Sequence, residues 1–165
     1  MKSKKYFPLF VDLSGKKVII VGAGQIALRR TKTLLDFCAD ITVIAPEILP
    51  DFYCWEQEGS LRLLKKEYCR EDILDADLVL AATDNPGVNS DIYSACKCLG
   101  ILVNVCSDRN KCDFYFPGIA QSGGVVAGVT ASGENHRQAR RVREAVQGLL
   151  DEMQTEETAG RIKDE

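Results

Sequence analysis

Val18-Ile-Ile-Val21 is a short unbroken apolar run, and Gly22-Ala-Gly24 follows it without a spacer. A strand buried on both faces of a parallel sheet has this composition. Past the glycines, Ala27, Thr31, Leu34, Leu35 and Cys38 fall on one helical stripe. A second strand-like run, Ile41-Thr-Val-Ile-Ala45, stops at Pro46. Strand, glycine turn, helix and strand in that order make the first half of a dinucleotide-binding unit. Gly22-x-Gly24-x-x-Ala27 carries the matching fingerprint. Its first glycine permits a tight turn, its second lets a pyrophosphate approach the backbone, and its third small residue lets helix and strand pack closely. The helix start then offers N–H groups and a positive dipole end to phosphates.

The alternation continues down the chain. Leu61–Leu64 reads as a third strand, Arg70–Leu74 as a short helix, and Asp77–Ala82 as a fourth strand ending at Thr83-Asp84. Asn85 suits a helix cap, with Pro86 at the first helical position and Gly100 just past the end. Ile101–Val105 is a fifth strand. Strands alternating with helices predict a Rossmann-type α/β fold, a doubly wound and mainly parallel sheet. After residue 106 the pattern changes. Asp113–Ala120 and Val125–Thr130 read as a strand pair joined through Ser122-Gly-Gly124, followed by a helix from about His136 to Glu152. The expected division is a nucleotide-binding domain over 1–112 and a small strand-and-helix extension over 113–165. The acidic tail from Asp151 has no apolar stripe and is expected to fray.

Composition narrows the function. A net charge of −3 gives no reason to expect nucleic acid as a partner. No apolar run approaches the ~18 residues of a membrane span. The basic start is followed by an apolar stretch broken by Pro8 and Asp12, a poor signal peptide, so a cytoplasmic protein is expected. Seven cysteines, an odd number in which Cys38, Cys96 and Cys106 sit in core-like settings, point to reduced thiols rather than a disulfide framework. Cys96-Lys-Cys98 lacks the usual zinc-ligand spacing. For the dinucleotide, Ala45-Pro46 stands where an acid usually holds the ribose hydroxyls, and Glu47 is the nearest carboxylate. No arginine sits there to take a 2′-phosphate, so NAD is preferred over NADP.

Several segments in order resemble the dehydrogenase module of the siroheme synthase family, the precorrin-2 dehydrogenases. They are Tyr6–Leu13 leading into Val18–Gly24, then Ile41–Glu47, Ala81–Asn85, Val103–Val105 and Asp113–Pro117. The resemblance runs from residue 6 to about 150. It implies oxidation of precorrin-2 to sirohydrochlorin with hydride passing to NAD; some members also insert ferrous iron. By position, Gly22, Gly24, Gln25 and Ile26 would meet the pyrophosphate, and Pro46 and Glu47 would border the adenosine ribose. Thr83, Asp84 and Asn104 would line the nicotinamide side. In this family the extension helps build a homodimer and closes the substrate cleft.

Three departures from the family pattern bear on chemistry. Where members often carry an aspartate shortly after Asn104-Val105, this chain has Ser107 followed by Asp108. Asp108 is the candidate base, because the oxidation loses a proton as well as a hydride; it also suits the start of the turn Asp-Arg-Asn110. Ser107 beside it would suit a member that dehydrogenates without efficient insertion of ferrous or cobalt ion. Before the last helix, Asn135-His136 replaces the family's Ser-Pro. Asn135 suits a cap, and His136, the one histidine, is a candidate contact to substrate. Arg137, Arg140, Arg141 and Arg143 crowd the start of the last helix, where guanidinium forks would match the carboxylates of the tetrapyrrole, and the resemblance singles out Arg140, which matches a family position. The extension also reads as shorter than the family's usual one, which places dehydrogenation ahead of chelation. Two other readings stay open: a sensing module that binds NAD or a tetrapyrrole without chemistry, and a metallochelatase using Cys106, Asp108, Cys112 and His136.

Overall fold

A computed structural model describes residues 7–131 and 135–161. Residues 1–6, 132–134 and 162–165, among them Tyr6 and the final part of the acidic tail, lie outside the described residues. The chain divides into two compact units, one of Phe10–Phe114 and one that contains Tyr115 onward.

The first unit is a parallel sheet. Its strands are β1 (Lys17–Val21), β2 (Asp40–Ile44), β3 (Arg62–Leu64), β4 (Leu78–Ala81) and β5 (Leu102–Val105). They lie in the order β3-β2-β1-β4-β5, with every pairing parallel. The sheet is Rossmann-type, and its order reverses between β1 and β4, where such folds bind ligands at the carboxyl ends of the strands. β1 is central, and Val18 to Val21 are all at most 2% exposed. An all-apolar strand needs cover on both faces, and two helices supply part of it. Helix α1 (Gln25–Leu34) buries Ala27, Thr31 and Leu34, the stripe legible in the sequence. Helix α3 (Pro86–Leu99) buries Asn89, Ile92, Ala95 and Cys96. Its start is set by Asn85, whose side chain accepts from the N–H groups of Gly87 and Val88 at 2.9 and 3.2 Å. Its end is set by Gly100 at φ 72°, a left-handed conformation that glycine adopts without strain.

The second unit is an antiparallel hairpin with a helix. Strands β6 (Gly118–Ser122) and β7 (Val125–Val129) pair in register around Gly123-Gly124, both at positive φ. Helix α4 (His136–Arg161) packs on them, and Gln147 exchanges two hydrogen bonds of 3.0 Å with the backbone of Gln121.

Four local expectations are corrected. Helix α2 (Asp51–Gln57) was not foreseen. Arg70–Ile73 is a 3-10 turn rather than an α-helix. Asp113–Pro117 is not a strand: β6 starts at Gly118, because the Asp113 carboxylate instead accepts from the Val103 N–H at 3.1 Å and from Lys97. Helix α4 does not end near Glu152 but runs to Arg161. Its last turns are rich in good helix formers; the hydroxyls of Thr155 and Thr158, which would otherwise compete for the backbone, donate to the carbonyls of Asp151 and Gln154 at 2.8 Å. Among the described residues no helix is long and apolar enough to cross a membrane.

Candidate cofactor and active site

The glycine turn is built by close approach of two strands. Gly22 has φ 106°, and its N–H donates to the Ile44 carbonyl at 2.8 Å. A Cβ at Gly22 would stand 2.4 Å from the Ala82 carbonyl oxygen, so only glycine lets β1 and β4 end side by side here. Gly24 differs. Its φ is −86° and a Cβ there would meet nothing within 4 Å. The space above Gly24 is open, as a pyrophosphate approach requires. It precedes α1, whose first turn has no acidic residue and no side-chain cap. Its N–H groups therefore face outward unclaimed by side chains, and Gln25 and Ile26, the first residues of the helix, are exposed beside them. The residues present fit a dinucleotide phosphate.

The adenosine side is set by the end of β2. Ala45 is buried, while Pro46 and Glu47 are exposed at the same sheet edge as the glycine turn. The Leu49 N–H donates to the Ala23 carbonyl at 3.3 Å, tying this loop to the turn.

The ends of β4 and β5 carry the remaining candidates. Thr83 and Asp84 follow β4, Ser107 and Asp108 follow β5, and the Ala81–Val105 register brings the two loops next to each other. Thr83 is half-buried; Asp84 and Ser107 are exposed. Asp108 caps a short 3-10 turn, accepting from the Asn110 N–H at 2.9 Å. The turn-forming role is therefore present, and it engages one carboxylate oxygen only. Asn104 lies within β5 itself. It is 2% exposed, its oxygen accepts from Arg30, and its Nδ2 donates to the Phe114 carbonyl at 2.7 Å.

Arg30 and Asn89 were not anticipated. Both sit on helices at positions that a hydrophobic stripe analysis passes over as polar; the signal was that each falls in line with buried residues of its own helix. Burial pulls the Arg30 guanidinium below its ordinary range, and Cys106 and Cys112 stand near it. Burial in turn pushes the Cys106 thiol up. All seven cysteines are free thiols, with Cys96 raised by burial to about 11. Among the described residues no three His, Cys, Asp or Glu side chains gather as a metal site.

In the second unit, Asn135 accepts from the Gln138 N–H at 2.9 Å and so caps α4. His136 is exposed at the first position of that helix. Arg140 is exposed and pairs with Glu144 one turn on, at 2.8 Å.

A five-stranded parallel sheet with this turn at its switch point defines a dinucleotide-binding protein of the NAD(P) class. Comparison with known proteins agrees. Residues 9–118 match the family described as "Putative NAD(P)-binding". The chain is 37% identical to the precorrin-2 dehydrogenase of Bacillus subtilis over 144 residues, covering 87% of this chain and 88% of that protein. It is 40% identical to a multifunctional siroheme biosynthesis protein of Ruminiclostridium josui and 34% identical to siroheme synthase 1 of Serratia proteamaculans. It spans 28% and 33% of those two longer proteins. Among solved structures, SirC, a precorrin-2 dehydrogenase, superposes with a TM-score of 0.75 at 30% identity, covering 93% of this chain and 76% of SirC. The chain belongs to the precorrin-2 dehydrogenase family.

Proposed function

We propose that the chain oxidises precorrin-2 to sirohydrochlorin with NAD as acceptor. The observation that carries this reading is the match over 88% of a protein named for that reaction, joined to an open glycine turn at the switch point of the sheet. The oxidation removes one hydride and one proton from the substrate; the nicotinamide takes the hydride when bound. The protein's share is to hold the cofactor at the turn and to take the proton. Gly22, Gly24, Gln25 and Ile26 hold the pyrophosphate, and Thr83 and Asp84 border the nicotinamide. Glu47 and Pro46 border the ribose, and a carboxylate there opposes a 2′-phosphate, which favours NAD over NADP.

Asp108 is the group we assign to the proton, with Ser107 beside it. Its capping bond leaves the second carboxylate oxygen available as an acceptor. Asp108→Asn is expected to lower turnover by roughly a hundredfold, the usual scale of a general base, while the affinity for NAD stays within about twofold. Turnover unchanged in D108N removes Asp108 from the mechanism. Arg140, His136 and Asn135 are assigned to the carboxylate-rich substrate, with Arg140 exchanging Glu144 for a substrate carboxylate.

We assign the extension, residues 113–165, to a homodimer. Val142, Leu149 and Met153 lie along α4 at helical spacing and are each about half exposed. Introducing Leu149→Glu with Met153→Glu is expected to shift the protein from dimer to monomer in sedimentation, with the melting curve of the nucleotide-binding unit little changed. A wild type that sediments as a monomer, at any concentration tested, rejects the assignment.

The reaction itself is tested by anaerobic incubation with precorrin-2 and NAD, following sirohydrochlorin absorbance. Product that requires NAD supports the dehydrogenase, and ferrous or cobalt ion added next reports whether chelation accompanies it. NAD binding without product favours a sensing module instead.

A further inference from the structure

Asn89 is 3% exposed, yet it lies on the face of α3 turned toward the two loops that end β4 and β5. Its amide joins them. The oxygen accepts from the Thr83 N–H at 3.3 Å and from the Thr83 hydroxyl at 2.8 Å. The nitrogen donates to the Thr83 carbonyl at 2.9 Å and to the Ser107 hydroxyl oxygen at 3.2 Å. The orientation of this amide follows from chemistry. A backbone N–H can only donate and a backbone carbonyl can only accept, so the amide oxygen must face the first and the nitrogen the second.

That orientation separates the two hydroxyls at the sheet edge. The Thr83 hydroxyl has two acceptors inside the protein, the Asn89 oxygen on α3 and the Asn85 carbonyl at 3.1 Å, and it accepts from the Asn85 N–H at 3.2 Å. Its proton is held inside. The Ser107 oxygen instead accepts a hydrogen bond from the Asn89 amide. Its own proton is therefore turned away from Asn89, and Ser107 is exposed at the carboxyl edge of the sheet.

We propose that Asn89 is a positioning residue that fixes Ser107 as an outward hydrogen-bond donor to the carboxamide oxygen of the nicotinamide, holding Thr83 alongside it. The inference rests on the cofactor placement given above, with the nicotinamide over the ends of β4 and β5. It makes the pair Asn89–Ser107, rather than the buried Asn104, the sensor of the nicotinamide end. Asn89→Asp keeps the shape but reverses the polarity, because a carboxylate accepts from Ser107 and draws its proton inward. On protonation the buried carboxyl regains one donor.

The test compares NADH with ADP-ribose, which lacks the nicotinamide, by calorimetry on the full chain. At about pH 8, N89D is expected to bind NADH about tenfold more weakly and ADP-ribose within about twofold of the wild type. Toward about pH 6 part of the NADH affinity returns, since burial raises the pH at which the introduced carboxyl protonates. Ser107→Ala reproduces the selective loss, and the double variant loses no more than either single one. Equal losses for both ligands, an unchanged NADH affinity, or additive losses overturn the proposal. Should N89D not fold, the side-chain amide protons of wild-type Asn89 carry the test by NMR. One of the two is expected to shift both in S107A and on NADH binding, and silence to either overturns the proposal. A wild type that shows the selective network but turns over no precorrin-2 rejects the reaction assigned above and leaves the positioning role standing.

Discussion

Replacing Gly22 with alanine is expected to abolish cofactor binding and to lower the melting temperature by roughly 10–20 °C. Two physical costs combine at this position. Alanine at φ 106° is strained, by about 1–3 kcal/mol. Its Cβ would also stand 2.4 Å from the Ala82 carbonyl oxygen and 2.9 Å from the Thr83 nitrogen. Both are backbone atoms, which cannot swing aside as a side chain can, so β1 and β4 must separate at their carboxyl ends at a further cost of about 1–3 kcal/mol. The separation displaces Thr83, and with it the loop after β4 that we proposed to border the nicotinamide. Gly24→Ala is the informative contrast. Its Cβ meets no protein atom within 4 Å and its φ is negative, so the fold should melt within a few degrees of wild type. The methyl group would occupy the space through which the pyrophosphate approaches, and NADH affinity should fall by at least about tenfold. Thermal melts together with NADH titrations on both variants read this pair. A G22A protein that melts like wild type and binds NADH sinks the close-approach account. A G24A protein with normal affinity sinks the phosphate placement.

Phe52→Ala is expected to destabilise the nucleotide-binding unit by about 3–5 kcal/mol, the usual range for deleting a buried aromatic ring. Phe52 is 0% exposed and is the buried residue of α2. Its ring meets Trp55 edge-on, with centroids 5.7 Å apart and planes at 89°. Alanine removes both the apolar burial and this edge contact, and α2 is too short to be stable without its anchor. Urea unfolding gives the magnitude, and Trp55, the single tryptophan, gives a local fluorescence signal for the same event. A loss below about 1 kcal/mol means that α2 is held by something other than Phe52.

The nucleotide-binding architecture was legible because its signals are local. Val18–Val21 is too uniformly apolar for a half-exposed strand, and Gly22-Ala-Gly24 directly after it admits few backbone paths. The cap of α3 at Asn85 and its stop at Gly100 were legible for the same reason, since each depends on one side chain and the residues next to it. Helix α2 was not legible. Its seven residues are too few to display a period, and what fixes it is Phe52 entering a core formed by distant segments. The end of α4 was not legible either: the sequence pattern placed it near Glu152, while the helix runs to Arg161.

The site divides along the same line. The turn residues and the loops after β2, β4 and β5 follow from strand order, because in a parallel sheet every strand delivers its following loop to one edge. Which side chains at that edge face outward does not follow from strand order. Asn104 carries an amide at the right height, yet Arg30 and the Phe114 carbonyl take both ends of it inside the protein. Asn89, far from the motif in sequence terms, holds Thr83 and Ser107 instead. Hydrogen-bond partners of buried polar groups are chosen by residues brought together from distant parts of the chain, and a buried amide must satisfy both its donor and its acceptor. Residue order sets the edge at which the cofactor binds, and tertiary packing decides which polar groups are left to meet it.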